Sequence, residues 1–430
     1  KWHLGDNYPY RPQDRGFDEV VCHGGGGVSQ QPDWWGNDYF DDTYMTNGTP
    51  QAYEGYCTDV FFDAALDFIE AHADEPFFCY ISTNAPHSPF NVASRYWQAY
   101  RDATDSELYA RFLGMITNID ENFGRLRRRL SELGLEENTI LVFMSDNGQT
   151  GVGDADADQY NAGMRGHKGS PYEGGHRVPF MVRWPGGGVT GHRAVDALAG
   201  YIDFMPTLLD LCGVEVPAER AFHGRSLAPV LTGTADADPW PGRVLVTDTQ
   251  RVAYPLKWRL SCVMRDHWRL VNRDELYDIH ADPGQTADVA AAHPDVVAEL
   301  QAEYETWWDL CAGQLDADTP ITVGAGAQET AVLRTHDMRN EGDHTVVWNQ
   351  GQVRRGDACL GWWPIHVEHE GEYEFALRRW PREAGHAVTA GIEGDDVAFN
   401  ETDIAPDAET LYRGGEALPI DTATDRKSVV

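Results

Sequence analysis

Apolar positions recur along the first half of the chain at two different periods. Val60, Ala64, Leu66, Phe68 and Ile69 sit at helical spacing within Asp59–Ala71, and Pro76 ends that stretch. Phe77–Ser82 is a short unbroken apolar run, which predicts a buried strand. A second helix is predicted over Ser106–Leu133. Its stripe is Leu108, Phe112, Met115, Ile119, Phe123, Leu126, Leu130 and Leu133, and Gly134 is placed to cap it. Thr139–Met144 predicts another buried strand, Val178–Trp184 a third, and Asp203–Leu211 a helix. Strand, loop, helix and strand in this alternation predict an α/β fold with a mixed, largely parallel sheet between helices. Ligands in such folds gather in loops at the carboxyl ends of strands, and His87 and Asp146 both fall in such loops.

The pattern changes twice further on. Ala235–Pro241 is rich in Asp and Pro and reads as a linker. Beyond it, Val244–Thr247, Trp258–Met264 and His267–Val271 are strand-like, and Pro294–Cys311 is helical, which predicts a small α+β subdomain over 242–312. From about Ile321 the runs T-V-V-W, W-W-P-I-H-V and Y-E-F-A-L predict a β-rich module over 321–420 without catalytic residues of its own. The catalytic domain is expected over 1–234, with its N-terminal part missing. Asp425–Val430 has the sequence that a common sequencing adapter encodes when translated.

Composition narrows the function classes. The 430 residues are 42% hydrophobic, enough for a sizeable core, and no apolar run is long enough to span a membrane. The formal charge of −35 excludes bulk electrostatic binding to nucleic acid or anionic membranes. An anionic ligand therefore needs a local basic pocket. The seven cysteines form no C-x-x-C pair, so neither a zinc ribbon nor a disulfide framework is indicated. Cys79 and Cys212 lie in apolar runs and are expected to be buried thiols.

Four motifs carry chemistry. K-W-H at 1–3 sets a cation and an imidazole two apart. P-H-S-P at 86–89 holds a histidine in a proline-stiffened loop. S-D-N-G at 145–148 offers two hard oxygen ligands at a strand end, and R-G-H-K-G at 165–169 offers three cationic groups between glycines. Together they supply oxygens for Ca²⁺ or Mg²⁺, donors for an anion and histidines for proton transfer. That set suits hydrolysis of a charged ester.

In order and composition these motifs resemble the type I sulfatases. Lys1–Gly5 is similar to their second signature, Asn84–Phe90 to their middle histidine motif and Ser145–Gly148 to their metal-binding turn. Arg165–Gly169 through Glu173–Pro179 is similar to their late lysine motif, and Leu276–Asp278 with Asp282-Pro283 to the start of their C-terminal subdomain. G-F-D-E, H-G-G-G-G and W-G-N-D-Y-F-D-D-T-Y add a likeness to bacterial arylsulfatase-like enzymes. The resemblance implies an alkaline-phosphatase-like fold, sulfuric ester hydrolysis on a sulfated small molecule or glycan, and a periplasmic or secreted location. It leaves the oligomeric state open.

The resemblance also implies roles. Lys1 and Lys168 contact the sulfate oxygens. His3 assists breakdown of the sulfated intermediate. His87 contacts the ester or a terminal oxygen and is the general acid. Asp146 and Asn147 ligate Ca²⁺, in preference to Mg²⁺, as a Lewis acid. His23 either lines the substrate pocket or only bonds backbone. His167 and His176 either touch substrate or pack and cap, and Glu173 organises its turn. The family's nucleophile is a formylglycine made within C/S-x-P-S/A-R, behind a paired-Asp metal motif. Neither motif occurs here, and in family order both lie upstream of Lys1. Residues 1–430 alone are therefore expected to show no turnover. Two alternatives stand beside this reading: a phosphodiesterase or phosphonate hydrolase on the same fold, and a nucleophile-free homologue that binds sulfated glycans.

Overall fold

The structure, a computed structural model, describes residues 1–152, 159–234, 240–250, 252, 254–315, 317–340, 346–393 and 417–421. The adapter-like residues 425–430 lie outside the described residues. By its contacts the chain divides into two compact units, Lys1–Arg129 with Asp318–Val430, and Leu130–Ala317.

In the first unit, the expected helix forms over Cys57–Ala71 and buries Val60, Phe61, Phe62, Ala65 and Ile69 on one side. The second predicted helix forms over Glu107–Glu132. Its start is fixed by Ser106, whose hydroxyl accepts from the Tyr109 amide at 3.2 Å. Asp59 joins the two helices, accepting from Asn118 at 2.8 Å and from Asn122 at 2.6 Å. Val21–Cys22, Thr43–Thr46 and Thr49–Ala52 form a three-stranded antiparallel sheet. Among the described residues the C-terminal stretch contributes short pairings: Ile321–Val323 runs parallel to Ile365–Val367, Arg339–Asn340 antiparallel to Gly361–Trp362, and Ile392 bridges Ala417. Tyr373–Leu377, read above as a strand, has no ladder and is mostly exposed.

In the second unit, Leu141–Met144 pairs antiparallel with Phe180–Arg183. The four strands Val244–Thr247, Cys262–Arg265, Trp268–Val271 and Glu275–Asp278 make an antiparallel meander. One face of that meander packs Val263, Leu270 and Leu276 on Leu300 and Tyr304 of the helix Pro294–Ala312. The other face packs Cys262, Met264 and Val271 with Tyr277. The α+β character expected here is observed.

Three expectations are corrected. Seven of the eight described pairings are antiparallel and one is parallel, so the sheets are mixed but not largely parallel. Phe77–Ser82 forms no ladder with described residues, and Phe78 and Tyr80 are 59% and 57% exposed. An apolar run supplies a strand's side chains but not its hydrogen-bonding neighbours. Cys212 is exposed and Cys79 only partly buried; the fully buried thiols are Cys57 and Cys262. Cys212 caps the end of the short helix Phe204–Leu211, where an apolar neighbourhood in sequence does not guarantee a covered face.

Candidate active site

In the first unit four of the expected residues come together. Lys1 runs beside the segment that precedes P-H-S-P: its amino nitrogen donates to the Ser82 carbonyl at 2.7 Å, and the Ser82 hydroxyl donates to the Lys1 carbonyl. His3 occupies the left-handed region at φ +60°, which is sparsely populated for a side-chain-bearing residue. Its ring lies against the H-G-G-G-G loop. A Cβ on Gly26 would fall 2.3 Å from the His3 ring, so only glycine admits the ring there. That loop is itself tied down, with the Gly25 amide donating to Asp6 at 2.8 Å and the Gly26 amide to Gln30 at 2.9 Å.

His23, at the head of the loop, is 1% exposed. Its Nδ1 lies 2.8 Å from the Gly24 carbonyl, which can only accept, so the proton is on Nδ1. Its Nε2 is buried with no hydrogen-bond partner among the described residues. Burial drives the His23 pKa well below the usual imidazole range. Lys1 and His87 lower it further, while the bond to Gly24 opposes them. His23 is thus a neutral imidazole within electrostatic reach of Lys1 and His87. The backbone bond posed above is present, and it leaves Nε2 unengaged among the described residues.

His87 sits in a loop whose Ala85-Pro86 and Ser88-Pro89 bonds are both cis. Its Nδ1 is 2.8 Å from the Ser88 carbonyl, which assigns that nitrogen its proton. The Tyr39 hydroxyl donates to the His87 carbonyl at 2.6 Å and accepts from the Asn84 amide. Tyr39 is fully buried, and burial raises its pKa well above normal, so it remains a donor. This clamp falls in the aromatic and acidic loop 33–44. There Asp33, Asn37, Asp38 and Asp42 are also buried; the three carboxylates accept backbone amides of the loop, and Asn37 both donates to and accepts from the Thr43 backbone.

In the second unit the remaining expected residues converge through backbone close to glycine. The Gly148 amide of S-D-N-G donates to the Gly175 carbonyl at 3.0 Å, and the Lys168 amide to Gln149 at 2.9 Å. A Cβ on Gly148 would lie 1.8 Å from the Gly174 carbonyl, and one on Gly174 2.1 Å from the Gly166 carbonyl. The three motifs interlock where no side chain fits. Asp146 is exposed, and Asn147 donates to the Gly148 carbonyl at 2.9 Å. His167 is exposed beside the Lys168 carbonyl, at 3.2 Å.

Glu173 organises this turn through partners both inside the motif and far beyond it. It is 2% exposed and accepts from Arg269 at 2.7 Å and His176 at 3.2 Å, with Arg177 at 3.4 Å; its amide donates to Gln285 at 2.8 Å. Burial pushes its pKa up, but His176 and Arg269 outweigh that and hold it down to about 2. Arg165 donates to Tyr277 and to the Gln285 carbonyl, both at 3.0 Å, and stacks on Tyr172 at 3.7 Å. His176 thus bonds Glu173, and Arg165 bonds Tyr277 and Gln285. Sequence reading missed Tyr39, Arg269 and Gln285, because nothing in local spacing marks a partner dozens of residues away.

Asp146 and Asn147 suit a hard cation in kind. Two ligands are far fewer than the 6–8 oxygens that Ca²⁺ takes. Among the described residues no group of three or more His, Cys, Asp or Glu could hold a metal.

The fold class follows from likeness to solved structures. That of Ps i-CgsB in complex with k-i-k-neocarrahexaose has a TM-score of 0.62 at 25% identity, over 71% of this chain and 69% of that one. The class is the alkaline-phosphatase-like α/β fold, mixed in its sheets.

The sulfatase family model matches residues 1–214, and the model for the N-sulphoglucosamine sulphohydrolase C-terminal region matches 167–307. N-acetylgalactosamine-6-sulfatase of Mus musculus is 30% identical over 393 residues, 86% of this chain and 71% of that protein. The N-acetylgalactosamine-6-O-sulfatase of Bacteroides thetaiotaomicron is 28% identical over 61% of this chain and 53% of its own length. The chain belongs to the sulfatase family, the sulfuric ester hydrolases. It spans 71% of the mouse relative and about half of the bacterial one. Metal and formylglycine use are general properties of this family.

Proposed function

We propose that the protein hydrolyses sulfate esters of a sulfated carbohydrate. The observation that carries this reading is the grouping of Lys1, His23 and His87 within electrostatic reach of one another, with the His3 ring against the glycine loop that His23 heads. Within a chain of net charge −35, such a basic cluster is the kind of local site an anionic ester requires. The named relatives act on sulfated N-acetylgalactosamine, which supports a sugar as the leaving group.

Lys1 and Lys168 are assigned to the sulfate oxygens, and His3 to breakdown of the sulfated intermediate. Asp146 and Asn147 are assigned to the family's metal, with Ca²⁺ as the ion. His23 is assigned to the pocket wall, presenting Nε2, and His167 to the margin of substrate contact. His87 is the general acid. Because its Nδ1 proton is engaged by Ser88, only Nε2 can deliver a proton, and the neutral ring carries none there. The acid form is the imidazolium. As the sulfuryl group passes to the family's nucleophile, the S–O bond to the sugar breaks, and its bonding pair goes to the sugar oxygen, which takes the Nε2 proton. A periplasmic or secreted location fits this role; no helix among the described residues is long and apolar enough to cross a membrane.

Calorimetry with N-acetylgalactosamine 6-sulfate, the unsulfated sugar and its 6-phosphate tests the binding half. The sulfate ester should bind tightest, and equal or tighter binding of the phosphate would favour the phosphodiesterase class. With the nucleophile motif present ahead of Lys1, nitrophenyl sulfate should be turned over faster than nitrophenyl phosphate. Residues 1–430 alone should bind without turnover, and robust hydrolysis by them would refute the need for that nucleophile.

A further inference from the structure

The matched family models end at residue 307, yet a later segment is fastened directly onto the K-W-H stretch. Asn7 holds it in both directions: its amide donates to the Val332 carbonyl at 2.9 Å, and its carbonyl accepts from the Val332 amide at 3.0 Å. Gln328 accepts from the Tyr8 amide at 2.6 Å and donates to Asn7 at 3.0 Å. Arg334 donates to the Gln31 carbonyl at 3.1 Å. This fastening sets the His336 ring against His3, with centroids 6.3 Å apart and planes 29° from parallel. That is within the range in which ring pairs attract.

We infer that His336 is a positioning residue for His3: it holds the His3 ring against the Gly26 backbone and shares its electrostatic surroundings. The charged and titratable groups around the pair come from both segments. Lys1 and Asp6 lie on the first, and Arg334, His336 and Asp337 on the later one. Asp6 is held by the Gly25 amide, and its charge acts on both His336 and Asp337. Burial lowers the His336 pKa, with Arg334 adding to this and Asp6 opposing it. His336 is therefore neutral near pH 7 and adds no positive charge beside His3. The catalytic sense of the inference rests on the role assigned to His3 above.

Ring ¹³C NMR titration of the whole chain tests it, with the His3 signal identified by its loss in His3→Gln. In the unmodified protein the His3 curve should carry a second inflection at the His336 midpoint. His336→Phe keeps the ring contact and should abolish that inflection. His336→Ala admits water to the His3 ring, which should raise the His3 midpoint by roughly half a unit. A single-inflection His3 curve, unchanged in His336→Phe, would overturn the inference. So would an unchanged midpoint in a His336→Ala protein that melts normally. The titration needs no substrate. If sulfated sugars fail to bind while the coupling is seen, the functional reading fails and the coupling stands.

Discussion

The two groups of motif residues are held by opposite means. The histidine group of the first unit is built by exclusion of water. His23 is buried and neutral with an unsatisfied Nε2, His3 lies against bare glycine backbone in a left-handed conformation, and His87 is clamped by a buried tyrosine. The turn of the second unit is built by interlocked glycine backbone and one buried ion cluster, and it leaves Asp146 exposed. The first arrangement costs stability and supplies groups ready to bond a ligand. The second contributes stability and supplies a fixed platform. Motifs that look equivalent in sequence thus do different physical work.

The sharpest way to break this contrast is to remove Glu173. Glu173→Ala leaves the buried Arg269 without its carboxylate and should cost about 3–5 kcal/mol of stability in denaturant unfolding. Glu173 also sets a pH window. Its folded pKa of about 2 lies below the ordinary 4.5, so its contribution is complete above pH 4.5 and is lost as the pH falls towards 2. Glu173→Gln should flatten stability over that window. An unchanged acid limb would mean that the ion cluster does not hold the turn.

A smaller loss is expected at Gly26. Its φ is not in the left-handed region, so Gly26→Ala tests the steric contact with His3 alone. The added methyl must displace the His3 ring, at about 1–3 kcal/mol, with weakened binding of N-acetylgalactosamine 6-sulfate. Undiminished binding would show that His3 need not lie where the structure puts it.

The smallest effect on stability belongs to His23. His23→Leu gives up the bond to Gly24, about 0.5–1.5 kcal/mol, and also removes an unsatisfied polar atom, which offsets part of that loss. Net destabilisation should be under about 1 kcal/mol, while sulfate-ester binding weakens clearly. Strong destabilisation with binding intact would return His23 to a purely structural role.

Much of this was legible in the sequence because it is local. Helices at Cys57–Ala71 and Glu107–Glu132, and strands at Leu141–Met144 and Trp268–Val271, follow from apolar period and caps. The motif residues could be named because each motif is contiguous. What was not legible depends on partners distant in sequence. Phe77–Ser82 has the side chains of a buried strand, but pairing is a property of its neighbours. Glu173 could be seen as a turn organiser, yet Arg269 and Gln285, which make it one, lie about a hundred residues on. His336 carries no motif, and only the clamp made by Asn7 and Gln328 brings it to His3.

The central claim is that His87 protonates a sugar leaving group during sulfate ester hydrolysis. It is tested most directly by kcat/KM of His87→Ala on a sugar sulfate and on nitrophenyl sulfate, in a protein carrying the nucleophile motif. A sugar alkoxide is a strong base and needs the proton, whereas nitrophenolate leaves unaided. The account predicts a loss of about 10²–10⁴-fold on the sugar sulfate and a much smaller one on the aryl ester. Lys168→Ala, acting on the sulfate common to both, should slow the two substrates alike. Equal losses on both esters for His87→Ala would contradict the account and assign His87 to binding sulfate.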